Sequence, residues 1–181
     1  MRIIGGGNKN YRFQMPNKLA VRPTTDFCKE NLFNILNNIL DFSELTVLDL
    51  FAGSGNISYE FISRGSIVTS VEKNPKCVQF IKYNLEKLKA DRATIKKIDC
   101  FNYLKNVDTK FDLIFADPPF NFEEKLYITI IELIFEKKIL KHDGILIIEH
   151  NKFLNFKNSN YFYHNRKYGD VNFSFFKSLE S

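Results

Sequence analysis

The stretch TVLDLFAGSGN, Thr46–Asn56, decides the fold. A short apolar strand, Thr46–Leu50, runs into Ala52-Gly53-Ser54-Gly55 and then into a helix that begins at Asn56. Gly53 and Gly55 let the backbone turn tightly and let a ligand approach without meeting a Cβ. Working outward, the same alternation recurs. Strands are predicted at Ile67–Glu72, Ala93–Ile98, Phe111–Ala116 and Ile145–Glu149, with amphipathic stretches near Ile57–Ser63, Pro75–Lys89, Phe101–Leu104 and Glu123–Phe135. Short, nearly unbroken apolar strands separated by helices predict a parallel sheet covered on both faces. Two aromatic-rich runs, Tyr161–Tyr168 and Val171–Ser178, flank Gly169-Asp170 and predict an antiparallel hairpin at the C-terminal edge. Upstream, Thr24, Thr25 and Asp26 are capping types that open a helix to about Leu40. Before it come a short strand, Arg2–Gly5, a glycine turn and an irregular basic stretch to Pro23. The expected architecture is one α/β domain over residues 1–181.

Composition narrows the function classes. The 181 residues are 44% apolar and 26% charged, an ordinary globular balance. No apolar run approaches the ~18 residues of a membrane-spanning helix, and the N-terminal sequence lacks the apolar core of a secretory signal. Cys28, Cys77 and Cys100 are odd in number and far apart, which argues against a disulfide scaffold and for the cytosol. His142, His150 and His164 show no metal-ligand spacing, and no metal is expected. Of 26 basic residues, five lie in residues 1–25, where there is no acid, leaving 21 of each sign over the rest. The whole net charge of +5 thus sits on an N-terminal arm, and a basic arm beside a neutral body suggests a polyanionic partner.

Three acids end three successive strands. Asp49 opens the glycine turn, where a carboxylate would repel a pyrophosphate and welcome a cation such as the ammonium of S-adenosylmethionine. Glu72 closes the second strand, where an acid can accept from two ribose hydroxyls. Asp99 follows the third strand, where an acid can accept from an adenine amine while the adjoining backbone N–H at Cys100 donates to the ring. Each acid alone is equally a helix cap; the series of three is harder to assign to capping. After the fourth strand comes Asp117-Pro118-Pro119-Phe120. Two prolines fix the backbone and remove two donors, and Phe120 offers a stacking face. Asp117 and the Pro118 carbonyl can together accept both hydrogens of an exocyclic amine, aiming its lone pair outward for in-line attack on a methyl sulfonium.

Asp49–Gly55 resembles motif I of Rossmann-type S-adenosylmethionine methyltransferases, and Asp117–Phe120 resembles their amine-methylating (D/N)PP(F/Y/W) motif. More narrowly, the chain resembles the bacterial 16S rRNA guanine-N2 methyltransferase family (RsmD type). Arg2-Ile3-Ile4-Gly5-Gly6, the block Arg22-Pro23-Thr24-Thr25-Asp26 and Tyr168-Gly169-Asp170 carry that likeness. The resemblance implies a seven-stranded methyltransferase sheet and methylation of one guanine N2 in small-subunit rRNA. A monomer in the cytosol, with 16S rRNA or the small ribosomal subunit as partner and no membrane association, is expected. It implies cofactor binding by Arg22, Thr24, Asp49, Gly53, Gly55, Glu72, Asp99 and Cys100, and a catalytic group of Asp117, Pro118 and Phe120. RNA contact falls to Arg2, Lys9, Arg12 and Lys18 of the arm. The family's compact Arg-Gly-Arg segment is replaced here by Gly7-Asn8-Lys9-Asn10-Tyr11-Arg12, and Lys is a point donor where Arg offers a planar fork.

Three other readings compete. An adenine-N6 nucleic-acid methyltransferase uses the same proline motif, but the Arg22–Asp26 block and the lack of a target-recognition domain count against it. A non-catalytic RNA-binding assembly factor would not need Asp49, Glu72, Asp99 and Asp117 together. A nicotinamide oxidoreductase would want a third glycine where Ser58 stands.

Overall fold

The structure is a computed structural model that describes residues 1–16, 19 and 24–178. The elements are α1 (Asp26–Asn37), β1 (Thr46–Asp49), α2 (Asn56–Ser63), β2 (Ile67–Glu72), α3 (Pro75–Lys87), β3 (Ala93–Lys97), α4 (Cys100–Asn106), β4 (Phe111–Ala116), α5 (Glu124–Glu136), β5 (Leu140–Asn151), β6 (Phe162–Tyr168) and β7 (Val171–Phe176). The strands form a seven-stranded sheet in the order β3-β2-β1-β4-β5-β7-β6, the predicted methyltransferase-like arrangement with an antiparallel hairpin at one edge. Contacts group the chain into two compact units, Met1–Cys100 and Phe101–Ser181.

In the first unit β1, β2 and β3 pair in parallel, with Asp49 opposite Ser70 and Glu72 opposite Lys97. Val47, Leu48 and Asp49 are buried in succession, which requires cover on both faces of β1. β3 departs from the expected apolar strand. It is an edge strand, and Thr94, Lys96 and Lys97 on it are exposed; charged side chains on an edge discourage pairing with another chain. Thr25 caps α1 through its hydroxyl, which accepts from the Cys28 N–H at 3.2 Å. Asn74 caps α3 in the same way, with Pro75 in the first turn.

The expected N-terminal strand, Arg2–Gly5, is not formed as such: its ladder shrinks to a single antiparallel bridge between Arg2 and Arg12. The chain doubles back on itself, with Ile3 N–H donating to Tyr11 O at 3.0 Å and Phe13 N–H to Met1 O at 3.0 Å. The irregular basic stretch is therefore partly a small hairpin. Ile3 and Phe13 are buried, and the Phe13 ring stacks on Tyr59 at 4.2 Å. Its glycine turn packs on the end of α2: Gly7 N–H donates to Ser63 O, and a Cβ on Gly6 would stand 2.0 Å from that same oxygen. Gly6 also has a φ of +75°, so glycine is required there on both counts.

In the second unit β4 and β5 pair in parallel, and β5, β7 and β6 are antiparallel neighbours. β5 begins earlier than the expected Ile145. Leu140 pairs with Phe111, the chain makes an excursion at Lys141–Gly144, and pairing resumes at Ile145 opposite Leu113. No helix among the described residues is long and apolar enough to cross a membrane.

Candidate active site

The glycine turn is held from below by Glu72. One carboxylate oxygen accepts the Gly53 N–H at 2.8 Å, and the other accepts the Asn74 N–H at 2.7 Å. A carboxylate has about four lone-pair sites, so two bonds fix its position and leave it able to accept more. Glu72 is half-buried at the mouth of the turn. Gly55 caps α2 at a φ of +82°, and a Cβ there would meet the Tyr59 ring at 2.7 Å. Both the backbone angle and the neighbouring ring thus exclude a side chain.

Asp49 is 2% exposed. Its carboxylate accepts from the Ser58 hydroxyl at 2.6 Å, and Ser58 in turn lies 2.7 Å from the Ser70 hydroxyl. Ser58, in the place of a dinucleotide fingerprint's third glycine, therefore has a positive role. Burial pushes the Asp49 carboxyl up to about 6; the Ser58 bond opposes this and the Glu72 charge adds to it. A cation brought near Asp49 would relieve that penalty. Asp99 directly precedes α4, half-buried, with Lys73 Nζ at 3.9 Å, and Cys100 is the buried first residue of that helix.

Thr24 is placed beside the turn. Its carbonyl accepts the Asn56 side-chain N–H at 2.8 Å, and Asn56 is the first residue of α2. Arg22 and Lys18 lie outside the described residues. Of the other arm cations, Lys9 and Arg12 are exposed, whereas Arg2 binds Asp26 through Nε at 2.7 Å. Arg2 is thus partly committed to holding the arm on α1.

The residue that sequence reasoning missed here is Lys29, fully buried on α1. Its ammonium donates to Arg2 O at 2.6 Å, Asn56 Oδ1 at 3.0 Å and Glu60 Oε1 at 3.0 Å. Glu60 is itself buried and receives the Ile4 N–H at 2.8 Å and Arg64 Nη1 at 2.6 Å. This cluster fixes the arm, α1 and the start of α2 together, so it positions the glycine turn. A signal existed: Lys29 falls among Cys28, Leu32, Phe33 and Leu36 on the apolar stripe of α1, and a charge in such a stripe implies a buried partner. An open cleft of about 580 Å³ lies at the far end of α2, lined by Gly5–Gly7, Phe33, Phe42, Ser63 and Arg64 among others; none of the predicted cofactor residues lines it.

In the second unit Asp117 follows β4 half-buried, Pro118 is buried and Pro119 exposed. The Pro119 carbonyl accepts the Phe122 N–H at 2.8 Å, closing a turn that leaves Phe120 86% exposed. Phe122 goes the other way, edge-on to buried Tyr127 at 5.0 Å and parallel to Phe101 at 6.3 Å. Tyr127 was not foreseen. Its hydroxyl is pushed up to about 12, mainly by burial, with the Asp117 and Glu149 carboxylates adding to the shift. It stays neutral beside Asp117 at any physiological pH. Among the described residues no group of three or more His, Cys, Asp or Glu could hold a metal ion.

Residues 1–177 match the family described as conserved hypothetical protein 95. The ribosomal RNA small subunit methyltransferase D of Buchnera aphidicola is 33% identical over 86% of this chain and 78% of its own. The protein of the same name from Haemophilus influenzae is 34% identical over 84% and 79%. A solved structure of the Escherichia coli protein yhhF superposes with a TM-score of 0.84, at 29% identity, covering 97% of this chain and 96% of the other.

Proposed function

We propose, from the premise that this chain belongs to the conserved hypothetical protein 95 family, that it is an S-adenosylmethionine-dependent rRNA methyltransferase acting on the exocyclic N2 amine of a guanine in 16S rRNA. Bound S-adenosylmethionine supplies an activated methyl on its sulfonium. The residues of the first unit fit it. Gly53 and Gly55 give close backbone approach, Glu72 has acceptor capacity left for a ribose diol, and buried Asp49 gains from a nearby ammonium. Thr24, Asp99 and the Cys100 N–H complete the cofactor set, with Arg22 of the same block.

The observation that carries the reading is the proline loop of the second unit: an acid fixed by two prolines, followed by an aromatic ring turned out to solvent. Asp117 accepts one amine hydrogen and the Pro118 carbonyl the other, while Phe120 stacks on the guanine and holds its plane. This chemistry is positioning more than acid–base work. Nothing about the loop by itself prefers guanine N2 to adenine N6; the named relatives favour rRNA of the small subunit. Such a substrate puts the enzyme in the cytosol.

Mass mapping of small-subunit rRNA from a strain lacking the protein tests this. One guanine is expected to lose one methyl and to regain it on complementation. A lost methyl on adenine, or an unchanged map, would overturn the assignment.

A further inference from the structure

We propose that Phe153, in the loop after β5, is a second nucleobase platform that stacks on a nucleotide flanking the target guanine. The proposal rests on the rRNA methyltransferase reading above and extends its substrate site to a residue of another loop.

A single exposed phenylalanine means little on a protein surface. Here three further observations act together. The first is placement. β4 and β5 are parallel neighbours with Ala116 opposite Ile148. Phe120 lies four residues beyond Ala116, and Phe153 lies five beyond Ile148, so both rings follow the carboxyl ends of adjacent strands, where ligands bind in such sheets. Both are turned out, at 86% and 82% exposure.

The second is that the loop is built. Asn151 Oδ1 accepts the Phe153 N–H at 2.9 Å, and Lys152 bridges to Asp170 in the β6–β7 turn at 2.8 Å. At its far side Phe156 is buried, edge-on to His150 at 4.9 Å and to Phe176 at 5.9 Å. One phenylalanine anchors the loop and the other is presented by it. The third is charge. Lys152 Nζ lies 5.5 Å from the centre of the Phe153 ring, and Arg166 and Lys167 of β6 stand opposite Phe173 and Asn172, the residues that pair with Glu149 and His150 near the carboxyl end of β5. Aromatic faces alternating with cations are what a single-stranded nucleic acid requires: bases stack while the cations meet phosphates. An apolar protein partner would gain nothing from that charge.

The test places a photoreactive benzoyl-phenylalanine at position 153 and irradiates the full-length enzyme with undermethylated small subunits. Crosslinks are expected in rRNA within a few nucleotides of the methylated guanine; crosslinks confined to ribosomal protein, or to distant rRNA, would overturn the proposal. In parallel, Phe153→Ala should raise the KM for subunits on the order of ten-fold or more, the loss of one stacked base, with little change in kcat or cofactor affinity. Phe153→Tyr should restore it, because the ring face survives. An unchanged KM in an active Phe153→Ala enzyme would sink this inference and leave the methyltransferase reading intact. Wild-type enzyme that fails to methylate guanine would instead sink the parent reading.

Discussion

The glycine turn after β1 and the proline loop after β4 leave their strands at corresponding points and are built in opposite ways. In the first, the polar groups are already engaged: Glu72 holds two backbone N–H groups and Asp49 is buried against Ser58. In the second, rigidity comes from two prolines, and the ring that follows them is in water. On the proposed reading, the turn that would bind one invariant small molecule is finished in advance, and the loop that would receive a base out of a large RNA presents its contacts to solvent.

The largest expected effect breaks the comparison at its open side. Asp117→Ala should abolish methyl transfer, a loss of roughly 10²- to 10³-fold or more, as for other preorganised polar contacts to a reacting group. Cofactor affinity should be nearly unchanged. Single-turnover assays on undermethylated subunits, with calorimetry alongside, check both; near-normal transfer would remove Asp117 from the amine site. Next, Glu72→Ala should weaken cofactor binding by about 1.5–3 kcal/mol, the worth of charge-assisted hydrogen bonds. Its loss also frees Gly53 and Asn74, so some thermal destabilisation should accompany it. Equal cofactor affinity in the two proteins would show that Glu72 only braces the turn.

A third, smaller effect concerns pH. The Asp49 carboxyl is raised from 3.8 to about 6 in the folded state. A raised acid favours folding while it is protonated, so this contribution is complete below about pH 4 and is lost as pH rises through about 6; at 1.36 kcal/mol per unit it is on the order of 3 kcal/mol. A bound ammonium favours the carboxylate, so below pH 6 cofactor binding should release a proton and weaken as pH falls. Calorimetry in buffers of different ionisation heat detects that proton, and Asp49→Asn should erase it. The smallest effect is on the arm. Replacing Lys9 and Arg12 with Gln should flatten the salt dependence of RNA binding by about one to two logarithmic units, at roughly 0.7–0.9 per phosphate contact. Identical slopes would leave the arm's charge as solvated surface. Arg2 is a poor choice for that experiment, because its partner is Asp26.

Both turns were legible in the sequence because their chemistry is local: a strand, a glycine or proline signature and an acid fall within a few residues. The sheet was legible for the same reason, since periodicity reports burial strand by strand. The arm was half-read. Its charge is visible in composition, but its hairpin depends on Phe13 finding Tyr59 and on Gly6 finding Ser63, contacts that no local pattern encodes. Lys29 and Glu60 were missed likewise: each is an ordinary charged residue until the other is brought within 3.0 Å. The early start of β5 was missed because an excursion at Lys141–Gly144 interrupts the apolar run.

The arm's anchoring has a consequence for the order of assembly during synthesis. Ile4 meets Glu60 across 56 residues of chain, and Gly5 meets Ser63 across 58. Asp26 and Lys29 of α1 can hold Arg2 early, but the arm's partners on α2 are missing until that helix has been made, and its apolar seat also needs Phe80, Ile81 and Leu85 of α3. Such long-range closures are slow to form. Until then Ile3 and Phe13 lack the packing that buries them, so a chain cut short before α3 leaves their contacts unmade and their apolar surface in water.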